Sequence, residues 1–352
     1  MNFLDGSLFP ENQDKLVITA APYGPEWIPS DFPEDIPVSM DAQVQKAVDC
    51  YNAGATVLHL HVRELDGKGS KRLSKFNELI AGVRKAVPDM IIQVGGSISF
   101  APENEGDVAK WLSDDTRHML AALDPKPDQV TIAINSNQFN IVEILCEADI
   151  AGTSLADPVN YHAYREMTFP AGPEFVEEHL KRLIAAGIQP QFQIGNRPSY
   201  ETVERMMRRG VCNTPLNLTW IPIGGGADSP TLYDMANFVR AVPDGAVLTF
   251  ESLMLNVLPI NMMAIALGLH VRCGNEDNLW TQDRKAKIGS VAQVEQLVRI
   301  ARECGRDVAD GKEARRLLKI GTFYKDADET LAKNGFAPNR TFAQRGFLQH
   351  AA

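Results

Sequence analysis

The segment Ala55-Thr56-Val57-Leu58-His59-Leu60-His61-Val62-Arg63 joins an apolar, β-prone run to two histidines that are one residue apart. Side chains along a β-strand alternate between its two faces, so His59 and His61 are expected to point to the same side. Two imidazoles arranged in this way supply half of the ligands of a metal site. The segment therefore predicts a strand that ends in functional side chains.

Other β-prone runs recur along the chain, with amphipathic segments between them. Strands are expected at residues 16–21, 56–62, 90–94, 129–134, 189–194, 216–221, 246–250 and 269–273. Helices are expected at residues 41–53, 75–86, 107–122, 174–186, 200–209, 231–241, 258–266 and 290–303. Eight strands, each followed by a helix, predict an α/β fold of the (β/α)8 TIM-barrel type. A doubly wound sheet is the alternative, but the first strand-to-helix turn has no Gly-rich dinucleotide fingerprint.

Three segments are longer than a minimal barrel requires: residues 27–40, residues 150–172 and residues 321–352. The first two follow strands 1 and 4, so they should be rim insertions, where long loops commonly act as lids. We expect a catalytic TIM-barrel domain over residues 1–320. Residues 321–352 are then a C-terminal extension, which we expect to form a surface or oligomer arm.

Composition narrows the class of protein. The 352 residues are 44% hydrophobic and 23% charged, as in ordinary globular proteins, and their net charge is −10. A nucleic-acid or anionic-membrane surface needs a positive footprint, so neither partner is expected. The first residues show no secretory signal, and the five cysteines have no CxxC spacing. A cytoplasmic protein with reduced thiols is expected.

A second segment, His270-Val271-Arg272-Cys273-Gly274-Asn275-Glu276-Asp277-Asn278, also indicates a strand that ends in charged residues. In the predicted barrel, strands 2 and 8 flank strand 1, so their carboxyl ends should face each other. His59, His61 and Glu276 would then hold one Zn²⁺ with an open fourth position. The alternative is that the histidines are hydrogen-bonded core residues and Glu276 caps a helix.

A bound divalent cation would favour enolate chemistry on a keto acid, and hydrolysis is the rival use. Amidohydrolase-type barrels also carry an HxH motif, but on the first strand and with further histidines after strands 5 and 6. Those positions hold Gln191-Phe192-Gln193 and Thr219-Trp220 in this chain, so the hydrolase ligands are missing.

At residues 16–318 the chain resembles the β-keto acid cleavage enzymes, a family that includes 3-keto-5-aminohexanoate cleavage enzyme. The resemblance is carried by Thr19-Ala20-Ala21, Gly24-Pro25-Glu26, residues 54–63, Gly95-Gly96-Ser97 and residues 270–278. It implies a homo-oligomeric, Zn²⁺-dependent acyltransferase on a TIM barrel. A β-keto acid and acetyl-CoA are converted into acetoacetate and a new acyl-CoA by Claisen and retro-Claisen chemistry.

The resemblance also assigns residue roles. His59, His61 and Glu276 match the metal ligands, and Arg272 with Asp277 matches the pair that generates the enolate nucleophile. A guanidinium is too weak a base at neutral pH, so an anion clamp is the better physical role for Arg272. A structural salt bridge between Arg272 and Asp277 is the alternative.

Substrate-binding residues follow in the same way. Ser97 and Thr131 match hydroxyl positions that hold the carboxylate and keto group, and Glu26 falls where an acid meets the variable end of the substrate. Gln191 and Gln193 stand where the family usually has glutamates, so the pocket is unusual. Two other functions stay open: a metal-dependent aldolase or hydrolase that does not use CoA, and a non-catalytic ligand-binding barrel.

Overall fold

The computed structural model describes residues 3–24, 27–96, 100–101, 110–111, 117–138, 142, 144–251, 254 and 258–343. The predicted strands form a closed parallel barrel, which confirms the (β/α)8 prediction. The barrel strands are β1 Ile18–Ala20, β2 Val57–Leu60, β3 Ile91–Val94, β4 Gln129–Ala133, β5 Gln189–Ile194, β6 Asn217–Trp220, β7 Val247–Phe250 and β8 His270–Cys273.

Strand order around the barrel follows chain order, and β1 closes it by pairing with both β8 and β2. The carboxyl ends of β2 and β8 are therefore next-nearest neighbours across β1, as the sequence predicted. Every residue of these two strands is buried, because helices cover the outside of the barrel and side chains fill its interior. The two segments that carry the candidate ligands thus meet at one rim.

Helices lie between and after the strands. They are α1 Met40–Ala53, α2 Leu73–Ala86, α3 Glu147–Ile150, α4 Pro158–Arg165, α5 Pro173–Ala185, α6 Arg197–Arg208, α7 Leu232–Ala241, α8 Leu258–Ala266, α9 Ser290–Glu303, α10 Gly311–Leu317 and α11 Ala327–Asn334. The helix α1 begins where the Ser39 side chain accepts a hydrogen bond from the Ala42 amide and ends at Gly54, whose φ of 121° favours glycine. None of the described helices is long and apolar enough to cross a membrane.

The helix α2 illustrates how the outer layer is held. Leu79, Ile80 and Val83 recur at helical spacing and are fully buried against the barrel and its neighbouring helix. Burying an aliphatic side chain of this size contributes about 1.5–3 kcal/mol. The same apolar periodicity that predicted the helix from sequence therefore fixes its inward face.

The helix predicted over residues 107–122 is wrong at residues 110–111, whereas residues 117–122 are helical, with residues 117–118 α-helical and the rest 3-10. Lys110–Trp111 pairs antiparallel with Phe100–Ala101, and Met119–Ala122 forms a single 3-10 turn. Backbone groups that a helix would satisfy internally are satisfied at Lys110 and Trp111 by a partner strand. Apolar periodicity within one segment does not reveal such a partner.

The rim insertions contact one another through Asp31, which lies in the short 3-10 turn Pro29–Asp31. Its carboxylate accepts hydrogen bonds from the Ser154 amide and hydroxyl, at 2.5 and 2.7 Å, and from the Ile28 amide. Its main-chain carbonyl accepts a hydrogen bond from Lys287 Nζ, after β8. One aspartate therefore connects the segments that follow β1, β4 and β8.

Part of the C-terminal extension packs on the barrel through α11. Asn334, at the end of this helix, is fully buried. Its side chain accepts a hydrogen bond from the Leu216 amide and donates to the carbonyls of Thr214 and Thr330. Residues 327–334 therefore cover the start of β6, whereas the division at residue 320 and the oligomer arm remain predictions.

Candidate active site

The two histidines of β2 turn into the same buried space. His59 Nε2 lies 3.3 Å from His61 Nε2, and both side chains are almost completely buried. The other nitrogen of the His59 ring, Nδ1, lies 2.8 Å from Gln93 Oε1. Because an amide oxygen only accepts hydrogen bonds, this contact is a hydrogen bond in the tautomer that has its proton on Nδ1 and its lone pair on Nε2.

Glu276, in the loop after β8, completes the group. Its Oε1 lies 3.3 Å from His59 Nε2 and 3.5 Å from His61 Nε2. The three ligand atoms all lie within 4.8 Å of one another, and within the described part of the chain this is the only group of three or more such residues. The structure therefore brings the three predicted metal ligands together.

Gly95 leaves the room that the imidazoles occupy. A Cβ atom built on Gly95 would lie 2.2 Å from His61 Nε2 and 2.8 Å from His59 Nε2. Any other residue at this position would collide with both rings. Gly95 after β3 is thus explained by the close approach of the histidines, and Gly96 by the side chain of Leu120, which would lie 2.5 Å from a Cβ atom there.

Arg272 lies beside Glu276 and is surrounded by carboxyl groups. It donates from Nη2 to Glu276 Oε1 at 2.7 Å, and from Nε and Nη2 to Asp277 at 3.0 and 2.7 Å. A third carboxyl oxygen, Glu251 Oε2, lies 3.1 Å from Nη1. Arg272 therefore joins the candidate metal ligands to Asp277 and Glu251.

Burial and charge shift the pKa values at this rim in different directions. Burial, supported by Arg272, lowers the pKa of His59 to about 4, so this imidazole is neutral at neutral pH. Burial alone would raise the pKa of Glu276, but Arg272 and the two imidazoles bring it well below its usual range. Burial raises the pKa of Asp277 to about 7 and that of Glu251 well above its usual value, although Arg272 opposes both shifts.

These residues fit a divalent cation. Three carboxyl groups contact one guanidinium, so acidic groups outnumber basic groups in the immediate surroundings of Arg272. Glu276 Oε2 and His61 Nδ1 are buried without a hydrogen-bond partner among the described residues. Two imidazoles and one carboxylate are a donor set suited to Zn²⁺ with an open position.

The structure locates only one of the predicted substrate-binding residues, because Glu26 and Ser97 lie outside the described residues. Thr131 is buried on β4, where its hydroxyl accepts from the Gly96 amide at 3.3 Å and lies 3.5 Å from the Val94 carbonyl. In this arrangement, the Thr131 hydroxyl faces the main chain at the end of β3. Its contact with a substrate keto group stays a prediction.

Sequence reasoning missed two residues of the site, Glu251 and Gln93. Glu251 directly follows β7, and a carboxylate at the carboxyl end of a barrel strand is a signal that could have found it. Gln193, which replaces a family glutamate, donates to Glu251 Oε1 at 3.5 Å. Gln93 lies on β3 two residues before Gly95, and only its register with His59 reveals its role.

Comparison with known proteins agrees with this geometry. Residues 15–320 match the family model described as beta-keto acid cleavage enzyme. The 3-keto-5-aminohexanoate cleavage enzyme of Acetoanaerobium sticklandii is 27% identical over 309 residues, which cover 87% of this chain and 99% of that protein. The 3-oxoadipate:acetyl-CoA acetyltransferase of Cupriavidus necator is 24% identical, covering 83% of this chain and 90% of that protein.

Among solved structures, the ternary complex of ObcA with a C4-CoA adduct and oxalate superposes with a TM-score of 0.56. It covers 81% of this chain and 67% of the ObcA chain at 16% identity, which supports the fold alone. The family match spans all eight barrel strands and all of the residues gathered around Arg272. The chain belongs to the β-keto acid cleavage enzyme family.

Proposed function

We propose that this protein converts a β-keto acid and acetyl-CoA into acetoacetate and a new acyl-CoA. The observation that carries the proposal is the 2.7 Å contact between Arg272 and Glu276. Through this contact, a buried, positively charged guanidinium lies beside the candidate metal ligands. The names of the relatives support the same chemistry, because they describe β-keto acid cleavage and transfer from acetyl-CoA.

His59, His61 and Glu276 would hold Zn²⁺. A divalent cation at this position supplies Lewis acidity, which polarises a keto group and acidifies the adjacent C–H. The protein contributes a closed environment, since all three side chains are at most 4% exposed. Water exclusion strengthens every charge interaction at this rim.

Arg272 acts as an anion clamp. Burial alone would lower its pKa, but the carboxyl groups of Asp277, Glu251 and Glu276 raise it well above its usual value. The guanidinium therefore stays charged and stabilises the negative charge that develops on an enolate. Asp277 holds Nε and Nη2 of Arg272 in one orientation. With its pKa raised to about 7, Asp277 is the member of the pair that can exchange a proton near neutrality.

Atoms balance in the overall exchange. The bond between the keto carbon and the α-carbon of the β-keto acid breaks, and a new bond joins that α-carbon to the acetyl carbonyl carbon. The thiolate of CoA leaves the acetyl group and ends on the acyl group of the substrate. Acetoacetate therefore takes its keto carbon from acetyl-CoA and its carboxylate from the β-keto acid.

An isotope experiment tests this assignment. Purified, Zn²⁺-loaded protein is incubated with acetyl-CoA labelled with ¹³C at the carbonyl carbon and with β-keto acids that differ in their distal group. We expect the label at the keto carbon of acetoacetate and an unlabelled new acyl-CoA, both measured by mass spectrometry. A panel that includes cationic, neutral and anionic distal groups identifies the substrate class.

A second reaction without acetyl-CoA separates the alternative. A metal-dependent aldolase or hydrolase consumes the β-keto acid in the absence of acetyl-CoA and leaves the label out of acetoacetate. That result would replace the proposed function. Arg272→Lys protein serves as the matched control for background chemistry by bound metal, because it retains the three metal ligands.

A further inference from the structure

A row of amide side chains crosses the interior of the barrel beneath the candidate metal site. Gln93 on β3, Gln129 on β4 and Gln189 on β5 occupy paired positions on adjacent strands, and Gln93 is paired in the same way with His59 on β2. All four side chains are buried, with at most 6% exposed. The barrel register therefore aligns one imidazole and three carboxamides.

The row is hydrogen-bonded from end to end. Gln93 Nε2 donates to Gln129 Oε1 at 3.0 Å, and Gln129 Nε2 donates to Gln189 Oε1 at 3.2 Å. Gln189 Nε2 donates to the main-chain carbonyl of Lys319 at 3.0 Å. At the other end, Gln93 Oε1 lies 2.8 Å from His59 Nδ1. We call His59, these three glutamines and the Lys319 carbonyl the amide ladder.

The direction of the ladder is fixed at its lower end. The carbonyl of Lys319, just after α10, can only accept a hydrogen bond, so Gln189 must turn its NH₂ group toward it. Gln189 then presents its oxygen to Gln129, and Gln129 presents its oxygen to Gln93 in the same way. Gln93 is left with its oxygen toward His59, so that only a protonated Nδ1 completes the row.

We propose that Gln93, Gln129 and Gln189 are positioning residues that hold His59 as the Nδ1–H tautomer, with the Nε2 lone pair directed at the candidate cation position. The proposal rests on the proposed function for the presence of the cation, whereas the tautomer rests on protein groups: the Gln93 oxygen lies 2.8 Å from Nδ1, closer than Glu276 Oε1, which lies 3.3 Å from Nε2. Outer partners of this kind fix the tautomer and orientation of metal-ligating histidines.

The ladder acts on only one of the two histidines. His61 Nδ1 is buried and has no hydrogen-bond partner among the described residues. His61 is instead constrained by the tight space against Gly95. The two candidate ligands therefore differ in how they are held, and loss of the ladder should affect His59 alone.

The first test measures cation affinity, with Zn²⁺ as the probe in competition with a chromophoric chelator. Gln93→Met keeps the approximate volume and removes the acceptor for His59 Nδ1, and we expect it to weaken Zn²⁺ binding about 10- to 100-fold. Gln93→Glu keeps an acceptor for Nδ1 but loses the donor to Gln129 Oε1, so we expect a smaller loss of affinity than in Gln93→Met. Gln189→Met, two amides farther away, should give a smaller loss than Gln93→Met.

A matched control is Gln43→Met on α1, which makes the same change at a buried glutamine outside the ladder. We expect Gln43→Met to bind Zn²⁺ as the unmodified protein does, with thermal unfolding recorded for every variant. Equal affinity in Gln93→Met and Gln43→Met would overturn the proposal. So would an equal loss in Gln93→Met and Gln93→Glu, because that pattern follows from disturbed packing and not from the acceptor.

A second test does not depend on metal or on a substituted glutamine. In metal-free protein labelled with ¹⁵N-histidine, the nitrogen chemical shifts of His59 should report a proton on Nδ1, with assignment from a His59→Asn variant. A proton on Nε2 would overturn the ladder even if the enzyme proved active. Conversely, an Nδ1–H tautomer in a protein that binds no Zn²⁺ would support the ladder and contradict the metal in the proposed function.

Discussion

Two pairs of buried histidines in this protein have nearly the same spacing and different surroundings. His59 Nε2 and His61 Nε2 are 3.3 Å apart, and His118 Nδ1 and His179 Nδ1 are 3.2 Å apart. The first pair faces the carboxylate of Glu276 at 3.3 and 3.5 Å. An anion beside two imidazoles completes the donor set of a candidate cation site.

The second pair lies outside the barrel, beside an aromatic ring and a cation. Phe175 stacks on His118 and on His179, with ring centroids 4.9 and 5.3 Å apart. The guanidinium of Arg117 lies 3.5 Å from the centre of the same ring. A nearby positive charge disfavours both a bound cation and a protonated imidazole. The charged residue beside each pair, Glu276 or Arg117, therefore decides more than the spacing whether the pair is suited to bind a cation.

The largest expected effect comes from His61→Ala, which removes a ligand from the first pair. We expect loss of bound Zn²⁺ and of turnover. The affinity for Zn²⁺ should fall by more than ~100-fold, the upper range for removing a residue that only hydrogen-bonds to a metal ligand. Elemental analysis and the acetoacetate assay measure the two effects. The matched change, His179→Gln in the second pair, should leave Zn²⁺ stoichiometry unchanged. Metal retained in His61→Ala, or lost in His179→Gln, would contradict the distinction between the pairs.

Arg272→Lys should separate metal binding from catalysis at the first pair. Lysine keeps the charge but cannot reproduce the fork that contacts Glu276 and Asp277 together. We expect Zn²⁺ to be retained and turnover to fall at least ~100-fold, the scale of losing one well-placed electrostatic donor. Full turnover with metal bound would show that Arg272 is only a structural partner of Asp277.

Glu251→Gln should have a smaller effect, although Glu251 also contacts Arg272. Burial raises the pKa of Glu251 well above its usual value, so a neutral amide closely replaces the protonated carboxyl group. We expect turnover to fall by less than ~10-fold, the range of one neutral hydrogen bond. A loss as large as that in Arg272→Lys would mean that Glu251 acts in its ionised form.

The effect that is smallest at neutral pH concerns stability at the second pair. Burial, followed by His118 and Arg117, lowers the pKa of His179 from about 6.5 to about 3. The unfolded chain therefore binds this proton below pH 6.5 while the folded protein does not, and the free energy of unfolding decreases as pH falls from about 6.5 toward 3. His179→Gln should reduce that slope by up to about 1.4 kcal/mol per pH unit. Urea unfolding at several pH values measures it, and an unchanged slope would refute the cause.

Local sequence was sufficient for the barrel and the candidate metal ligands. Alternation along β2 and the polar ends of β2 and β8 predicted that His59, His61 and Glu276 would meet, because strand order in a TIM barrel is fixed. The amide ladder was not predictable in the same way. Gln93, Gln129 and Gln189 are ordinary buried glutamines until the register between strands aligns them.

The second histidine pair could not be predicted from the sequence either. His118 and His179 are 61 residues apart and meet only because α5 packs against the segment before β4. The helix expected at residues 107–122 is wrong at residues 110–111 for a related reason, since these residues pair with Phe100–Ala101, which lies outside the predicted helix. Contacts with another segment, which the periodicity of one segment does not record, account for each of these differences.

The contacts of Asp31 bear on how substrates enter and products leave at the carboxyl end of the barrel. The side-chain carboxylate and the main-chain carbonyl of Asp31 join the segments after β1, β4 and β8. If one segment moved away alone, hydrogen-bonding groups of Asp31 or its partners would be left unpaired. We therefore expect these three segments to move together. A bulky thioester would then enter and leave when all three segments move at once. The rate of that movement would limit turnover whenever the chemical step is faster.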